Sequence, residues 1–194
     1  MESKTLVVDL CGTLVKTNTT HGLLLFREMP LLRRAVAHCL LSRPATIVLT
    51  RLSGDVQRRL LVRLLMGLAE FDLQAIARSY ARSALQNLPR KEVLDRVVSH
   101  KQAGGELYLA SASLDVVVSA FAELLNAEGY VATRLRYTGD YCQGVIERDS
   151  TGNKLAELRA LPHFDGKDFE AITDNPEDED LMQAAEKFWF IEND

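Results

Sequence analysis

Cysteine is scarce in this chain. Cys11, Cys39 and Cys142 are the only three in 194 residues, too few and too scattered for a disulfide framework or a zinc site. They read as reduced thiols, and a cytoplasmic location is the matching expectation. A basic excess is missing as well. The formal net charge is -4 and the isoelectric point is near 5.6, which argues against nucleic acid as a partner. There is no internal repeat and no low-complexity tract. Long apolar runs are absent too. The opening MESKTLVVDL lacks the apolar region and small-residue cleavage site of a signal peptide, and its short, β-branched run stops at a charge, as a buried strand does. The stretch GLLLFREMPLLRRAVAHCLLSRPATIVLT comes nearest to a membrane span. Arg27, Glu28, Arg33, Arg34 and Arg43 interrupt it before it reaches the roughly 20 apolar residues a bilayer needs, so no transmembrane segment is expected. Amphipathic helices packed on each other are the first reading. Contact of these basic, leucine-rich helices with a membrane surface or a lipid substrate is the lesser one.

What is present suits a globular protein: 47% hydrophobic and 26% charged residues, in a length that fits one domain with a subdomain inserted. Four short apolar runs predict buried parallel strands at Thr5 to Leu10, Glu106 to Ser111, Glu170 to Thr173 and Lys187 to Ile191. SLDVVVSAFAELLNAEGY carries apolar residues at helical spacing, with Gly129 as its expected stop. YVATRLRY predicts a further strand and TGDYCQG a turn or hairpin. Residues 16–100 are helical in pattern, broken by a turn at RLSGD and another at NLPRKE, where Pro89 is placed to open a helix. The expected fold is α/β, a three-layer Rossmann-like parallel sheet core with an inserted all-helical cap subdomain. Residues 1–15 and 101–194 would form the core and 16–100 the cap. An insertion after the first strand sits over the carboxyl ends of the sheet, where open α/β folds bind ligands.

Candidate chemistry gathers at those strand ends. Asp9 closes the first strand in VVDLCGTLV, Gly12 permits a tight turn and close approach of backbone N–H groups to an anion, and Thr13 follows. Ser111 and Ala112 in LYLASAS are placed to hold a phosphate oxygen. Lys154 stands near the start of a helix in STGNKLAEL and brings a flexible cation. Asp174, with Asp178 four residues on in AITDNPEDEDLM, offers the oxygen ligands that a hard cation such as Mg²⁺ takes.

With these four motifs in order over nearly the whole chain, the sequence resembles the haloacid dehalogenase-like superfamily of phosphohydrolases. Within it the sequence is similar to the phosphoserine-phosphatase-like branch with a helical cap after strand one. The segment YVATRLRY…GDYCQGVIE followed by GNKLAEL is also similar to that branch. The resemblance implies that Asp9 attacks phosphorus and forms an aspartyl-phosphate. It implies that Asp9, the backbone carbonyl of Cys11 and Asp174 hold Mg²⁺, and that Ser111 and Lys154 bind the phosphoryl group. Asp178 would orient the lysine or a metal-bound water. The physical logic agrees, because dianion and carboxylate repel until cation and ammonium cancel their charge.

Cys11 departs from that pattern. The family has a second aspartate there, which protonates the leaving group and later activates water. A thiol titrates near 8.5 against about 3.9 for a carboxyl, so it is poorly matched to both duties. Four accounts are open: a slow phosphatase or one acting on acyl phosphates or phosphonates, a pseudo-enzyme keeping the pocket for binding, a dehalogenase, or an introduced inactivating substitution. Phosphohydrolase chemistry ranks first and a non-catalytic binding module second. A cysteine-based phosphatase is rejected, since CGTLVKT lacks the required arginine. Thr173 and Asn175 stand where the family has glycine and serine. His21, His38, His100 and His163 read as surface or cap residues, with facing the substrate a second reading for His21 just past the nucleophile loop; Glu179 and Asp180 read as a solvated helix start and Trp189 as strand packing. The substrate is expected to be a small phosphorylated molecule, with an amphiphilic or lipid phosphate suited to the arginine-dotted cap.

Overall fold

A computed structural model describes residues 5–52 and 54–192. The turn expected at RLSGD includes Ser53, which lies outside the described residues, as do the ends of the expected core at 1–4 and 193–194. The first strand, β1 (Thr5–Val8), is buried along its whole length. Its residues TLVV carry β-branched side chains that pack well on a covered sheet. It lies between β2 (Glu106–Leu114) and β5 (Phe169–Thr173), parallel to both. Outward from β2 come β3 (Gly129–Thr138) and β4 (Tyr141–Arg148), and outward from β5 comes β6 (Lys187–Phe190), giving the order β4-β3-β2-β1-β5-β6. The β3–β4 pair is antiparallel, turning at Gly139, whose φ of 56° needs a residue free of a Cβ clash.

Alternation along the strands builds the three layers. Leu6 and Val8 of β1, Leu107 and Leu109 of β2, and Ile172 of β5 join one apolar cluster. Their neighbours Val7, Tyr108, Ala110 and Ala171 join a second. Period-two side-chain direction puts these sets on opposite faces of the sheet. On the second face lie α8 (Lys154–Arg159) and α9 (Glu179–Ala184). On the first, α7 (Asp115–Leu125) packs against β2 and β3, with α5 (Glu70–Asn87) over it and α6 (Lys91–Gln102) against β2. Before α5 in the chain come α1 (Thr19–Leu25), α2 (Leu31–Leu40), α3 (Arg43–Leu52) and α4 (Gly54–Arg63), of which α4 rests on β4. The Cys142 N–H donates to Leu68 O, and Gly67 N–H donates to Cys142 O, so the hairpin grips the chain between α4 and α5.

Three local expectations need correction. The α7 helix stops at Asn126, which takes the left-handed conformation with φ 50°, and Gly129 instead opens β3. Asparagine tolerates that conformation better than most side chains, so the stop comes early. Pro89 does not open a helix. It bridges Val15, and the flanking Leu88 carbonyl and Arg90 N–H bond to Lys16 and Leu14, which leaves Arg90 as the cap of α6. Finally, β6 is not buried: it is an edge strand, and Phe188, Trp189 and Phe190 are exposed on both its faces. Trp189 packs less against the sheet than under the Arg96 guanidinium, 4.3 Å from its ring centre. No helix among the described residues is long and apolar enough to cross a membrane.

Candidate active site

Strands β1, β2 and β5 are adjacent and parallel, so the residues at their carboxyl ends meet at one edge of the sheet. After Val8 the chain turns sharply, with the N–H groups of Leu14 and Val15 both donating to Leu10 O. Asp9 at the start of this turn is 4% exposed. Its Oδ1 accepts from Lys154 Nζ at 3.0 Å, and the same ammonium donates to Asp178 Oδ2 at 2.7 Å. Lys154 and Asp178 are each 2% exposed, and Thr173 Oγ1 donates to the same Asp178 oxygen at 2.7 Å. Threonine at 173, where glycine was expected, thus helps seat the carboxylate that seats the lysine.

Two buried carboxylates share one buried ammonium, and the electrostatics follow from that imbalance. Burial pushes the Asp9 carboxyl up to about 6, against the pull of Lys154 and with help from the Asp178 charge. Burial works against the Lys154 ammonium, but Asp9 and Asp178 together outweigh it and hold its pKa above the ordinary lysine value.

Asp174, just past β5, is clasped by the turn. Thr13 Oγ1 donates to its Oδ1 at 2.8 Å, and the Asp174 N–H donates back to Thr13 Oγ1 at 2.8 Å. Gly12 is required here twice. Its φ is 75°, and a Cβ on it would lie 2.0 Å from Asp174 Oδ2. On the far side of the turn, Arg90 Nε donates to Gly12 O at 3.0 Å.

A cavity of about 480 Å³ opens on this edge. Asp9, Cys11, Ser111, Ala112, Lys154 and Asp174 line it from the core, and His21, Gln57 and Arg58 from the helices above. Ser111 sits where the register between β2 and β3 shifts, within a strand that continues to Leu114. Thr13 is fully buried behind Asp174, and Asp178 stands behind Lys154. Gly12 faces a second recess with Lys16 and Arg90.

The Cys11 thiol turns to a set of hydroxyls. Its Sγ lies 2.8 Å from Ser113 Oγ and 3.1 Å from Thr19 Oγ1, with the Thr19 N–H donating to it at 3.3 Å. Burial, and then the neighbouring Asp9 charge, push the thiol up, so it stays protonated at neutral pH. Arg58 reaches down from α4 to the loop after β4, making a two-point ion pair with Asp149 at 2.5 and 3.0 Å. It also donates to Thr133 Oγ1 at 3.1 Å and Ala112 O at 3.3 Å.

The donor set suits a hard cation. Among the described residues no group of three or more His, Cys, Asp or Glu side chains converges on a metal position. Two carboxylates at the cavity wall, Asp9 and Asp174, remain, and Mg²⁺ takes one or two carboxylates and keeps its waters.

The profile described as haloacid dehalogenase-like hydrolase matches residues 6–183. The chain belongs to this family. No curated protein sequence matches it significantly. Among solved structures, a protein of unknown function from Bordetella pertussis Tohama I is similar, at 18% identity and a TM-score of 0.77, covering 97% of this chain and 89% of that one. A phosphoserine phosphatase solved with substrate bound gives 18% identity and a TM-score of 0.63, covering 97% and 85%. The phosphoserine phosphatase from T. onnurineus gives 22% and 0.54, covering 96% and 82%. At these identities the likeness is one of fold. Motif reading passed over Ser113 and Arg58, which line the cavity, Thr19, which meets the Cys11 sulfur, and Arg90, which holds the Gly12 carbonyl. Ser113 lay inside the quoted LASAS segment, whereas nothing in VQRRL marks Arg58 apart from its arginine neighbour.

Proposed function

We propose that the chain is a phosphohydrolase that cleaves a small phosphomonoester, with Mg²⁺ as cofactor, through an aspartyl-phosphate on Asp9. The observation that carries this reading is the buried chain Asp9–Lys154–Asp178 at the wall of the cavity. An Asp9 oxygen forms a bond to phosphorus as the ester P–O bond breaks; water then attacks the aspartyl-phosphate, releases phosphate and restores the carboxylate. Lys154 keeps its proton throughout and neutralises phosphoryl charge, while Asp178 and Thr173 fix its position. Ser111 and the Ala112 segment bind the phosphoryl oxygens. Asp9, Asp174 and the Cys11 carbonyl would hold Mg²⁺, which when bound cancels repulsion between carboxylate and phosphate.

The slow point is proton transfer. A buried neutral thiol is a weak acid and poorly matched to protonating the leaving alkoxide or activating water, and loss of a general acid–base typically costs about 10²- to 10⁴-fold. That same thiol favours a second reading, a phosphate-ligand-binding module without turnover. Residues 16–100 act as the cap in either case, with α5 and α6 as the roots that join it to the core and Arg58 closing over the cavity. Hydrolysis of an activated aryl phosphate, with and without chelator, tests the first reading. Phosphate release that needs Mg²⁺ and is lost in Asp9→Asn supports it. Turnover that survives chelation or that substitution refutes it, and tight phosphate binding without release selects the module.

A further inference from the structure

Helix α2 packs Ala37 and Leu40 on the core yet turns two arginines partly inward and several aliphatic side chains outward. Arg33 points inward, its guanidinium donating to Leu64 O at 2.6 Å, and the Nε of Arg34 is buried. Leu31 and Leu32, by contrast, are 78% and 77% exposed, and Val36 follows on the same outer side. The pattern continues into α3, where Ile47 and Val48 are 54% and 58% exposed. Leu32 and Val36 stand about one turn apart on α2, and Ile47 and Val48 are adjacent on α3, so both helices show aliphatic side chains to solvent. Arg27, Arg43 and Arg51 are exposed around them. From Lys16 to Gly54 there are six lysines and arginines and one acidic residue, Glu28, in a chain whose overall charge is negative. A large exposed aliphatic face with a basic border calls for a partner that is apolar within and anionic at its surface.

We propose that the outer face of α2 and α3 docks on an anionic phospholipid bilayer, lying in the interface rather than crossing it. The aliphatic residues enter the boundary of the acyl chains, and the arginines meet lipid phosphates. A second copy of the chain fits poorly, because a two-fold contact would set the same arginines against each other. An interface for another protein would be expected to offer aromatic anchors, and this face has none. Neither helix is long enough to span a bilayer, which agrees with surface docking.

Vesicle co-sedimentation tests the proposal, using phosphatidylcholine alone and phosphatidylcholine with a third phosphatidylglycerol. The protein should pellet with the anionic vesicles at low salt and stay in solution with the neutral ones. Arg43→Glu with Arg51→Glu should weaken binding by about tenfold or more. Leu31→Asp with Leu32→Asp should weaken it by about tenfold, with an unchanged circular dichroism spectrum because both side chains are exposed. A Leu32→Trp variant should shift its emission to the blue on anionic vesicles only. The proposal is overturned by absence of pelleting, by undiminished binding of the Leu31/Leu32 variant, or by a Leu32→Trp spectrum that does not move. Self-association in sedimentation velocity that the Leu31/Leu32 variant abolishes would also overturn it, and would give this face to a second copy.

Discussion

Thr13 and Asp174 hold each other by two hydrogen bonds of 2.8 Å, hydroxyl to carboxylate and amide to hydroxyl. The residues are 161 positions apart, so one threonine locks the first loop to the last acidic motif. Thr13→Val keeps the shape and removes both bonds. Stability should fall by about 1–3 kcal/mol, since the partly buried Asp174 carboxylate and its amide both lose the Thr13 hydroxyl. If Asp174 holds the cation, the Mg²⁺ concentration for half-maximal activity should rise as well, with Thr13→Ser restoring it. Denaturant unfolding and a Mg²⁺ titration separate the two effects.

Lys154 is the cation shared by the buried carboxylates of Asp9 and Asp178, and its removal should be more damaging than that of an exposed lysine. Lys154→Met leaves the buried Asp9 and Asp178 carboxylates without their shared cation. The expected cost is about 3–5 kcal/mol, the range for breaking a buried ion pair from one side. The double variant Lys154→Met with Asp178→Asn should recover part of that stability and none of the activity. A thermal melt of the pair decides the point. If the double variant is no more stable than the single one, the three groups are not electrostatically coupled.

The core of the site was readable because its residues sit at strand ends that the hydrophobic runs already mark. Asp9 and Asp174 directly follow β1 and β5, Ser111 lies at the register shift of β2, which runs on to Leu114 beyond the expected end, and Lys154 begins α8. What stayed hidden depends on contacts across long sequence separations. Arg58 reaches Asp149 from another element, and Thr19 meets Ser113 over 94 positions. No local pattern encodes such a meeting. The exposure of β6 escaped for another reason: an apolar tetrapeptide looks the same whether its strand is central or at an edge, and only the sheet order distinguishes them.

The Arg58–Asp149 pair ties the helices above the cavity to the sheet below, and it carries a pH signature. Burial alone would raise the Asp149 carboxyl, but Arg58 and the Thr151 amide and hydroxyl outweigh it and hold it at about 2. A carboxyl depressed in the folded state adds stability above its ordinary pKa near 3.8, and that contribution disappears as pH falls toward 2. The pair is partly solvated, so the gain is small. Asp149→Asn should therefore lower the melting temperature at neutral pH and match the parent near pH 2. A constant difference across the range would show that the bond geometry, and not the charge, matters.

The surroundings of Cys11 allow the most direct test. Three polar groups surround its sulfur: the Thr19 N–H donates to it, and the hydroxyls of Thr19 and Ser113, which also bond each other, lie within reach and can donate or accept. Such a ring suits a carboxylate better than a thiol, because hydrogen bonds to an anion are the stronger kind. An aspartate introduced there would sit beside Asp9, and each negative charge would raise the other's pKa, as an acid catalyst requires. Cys11→Asp should accordingly raise the rate of aryl phosphate hydrolysis by about 10²- to 10⁴-fold if proton transfer limits the parent. The gain should be largest for poor leaving groups and shrink for activated ones, because a good leaving group departs without a proton. Comparing kcat across a series of leaving-group pKa values measures this. A uniform gain would mean that water activation, rather than protonation of the alkoxide, is what the thiol fails to supply. An unchanged rate would mean that the thiol serves some other task, and phosphate binding with no release by either variant would mean that the cavity binds phosphate without turning it over.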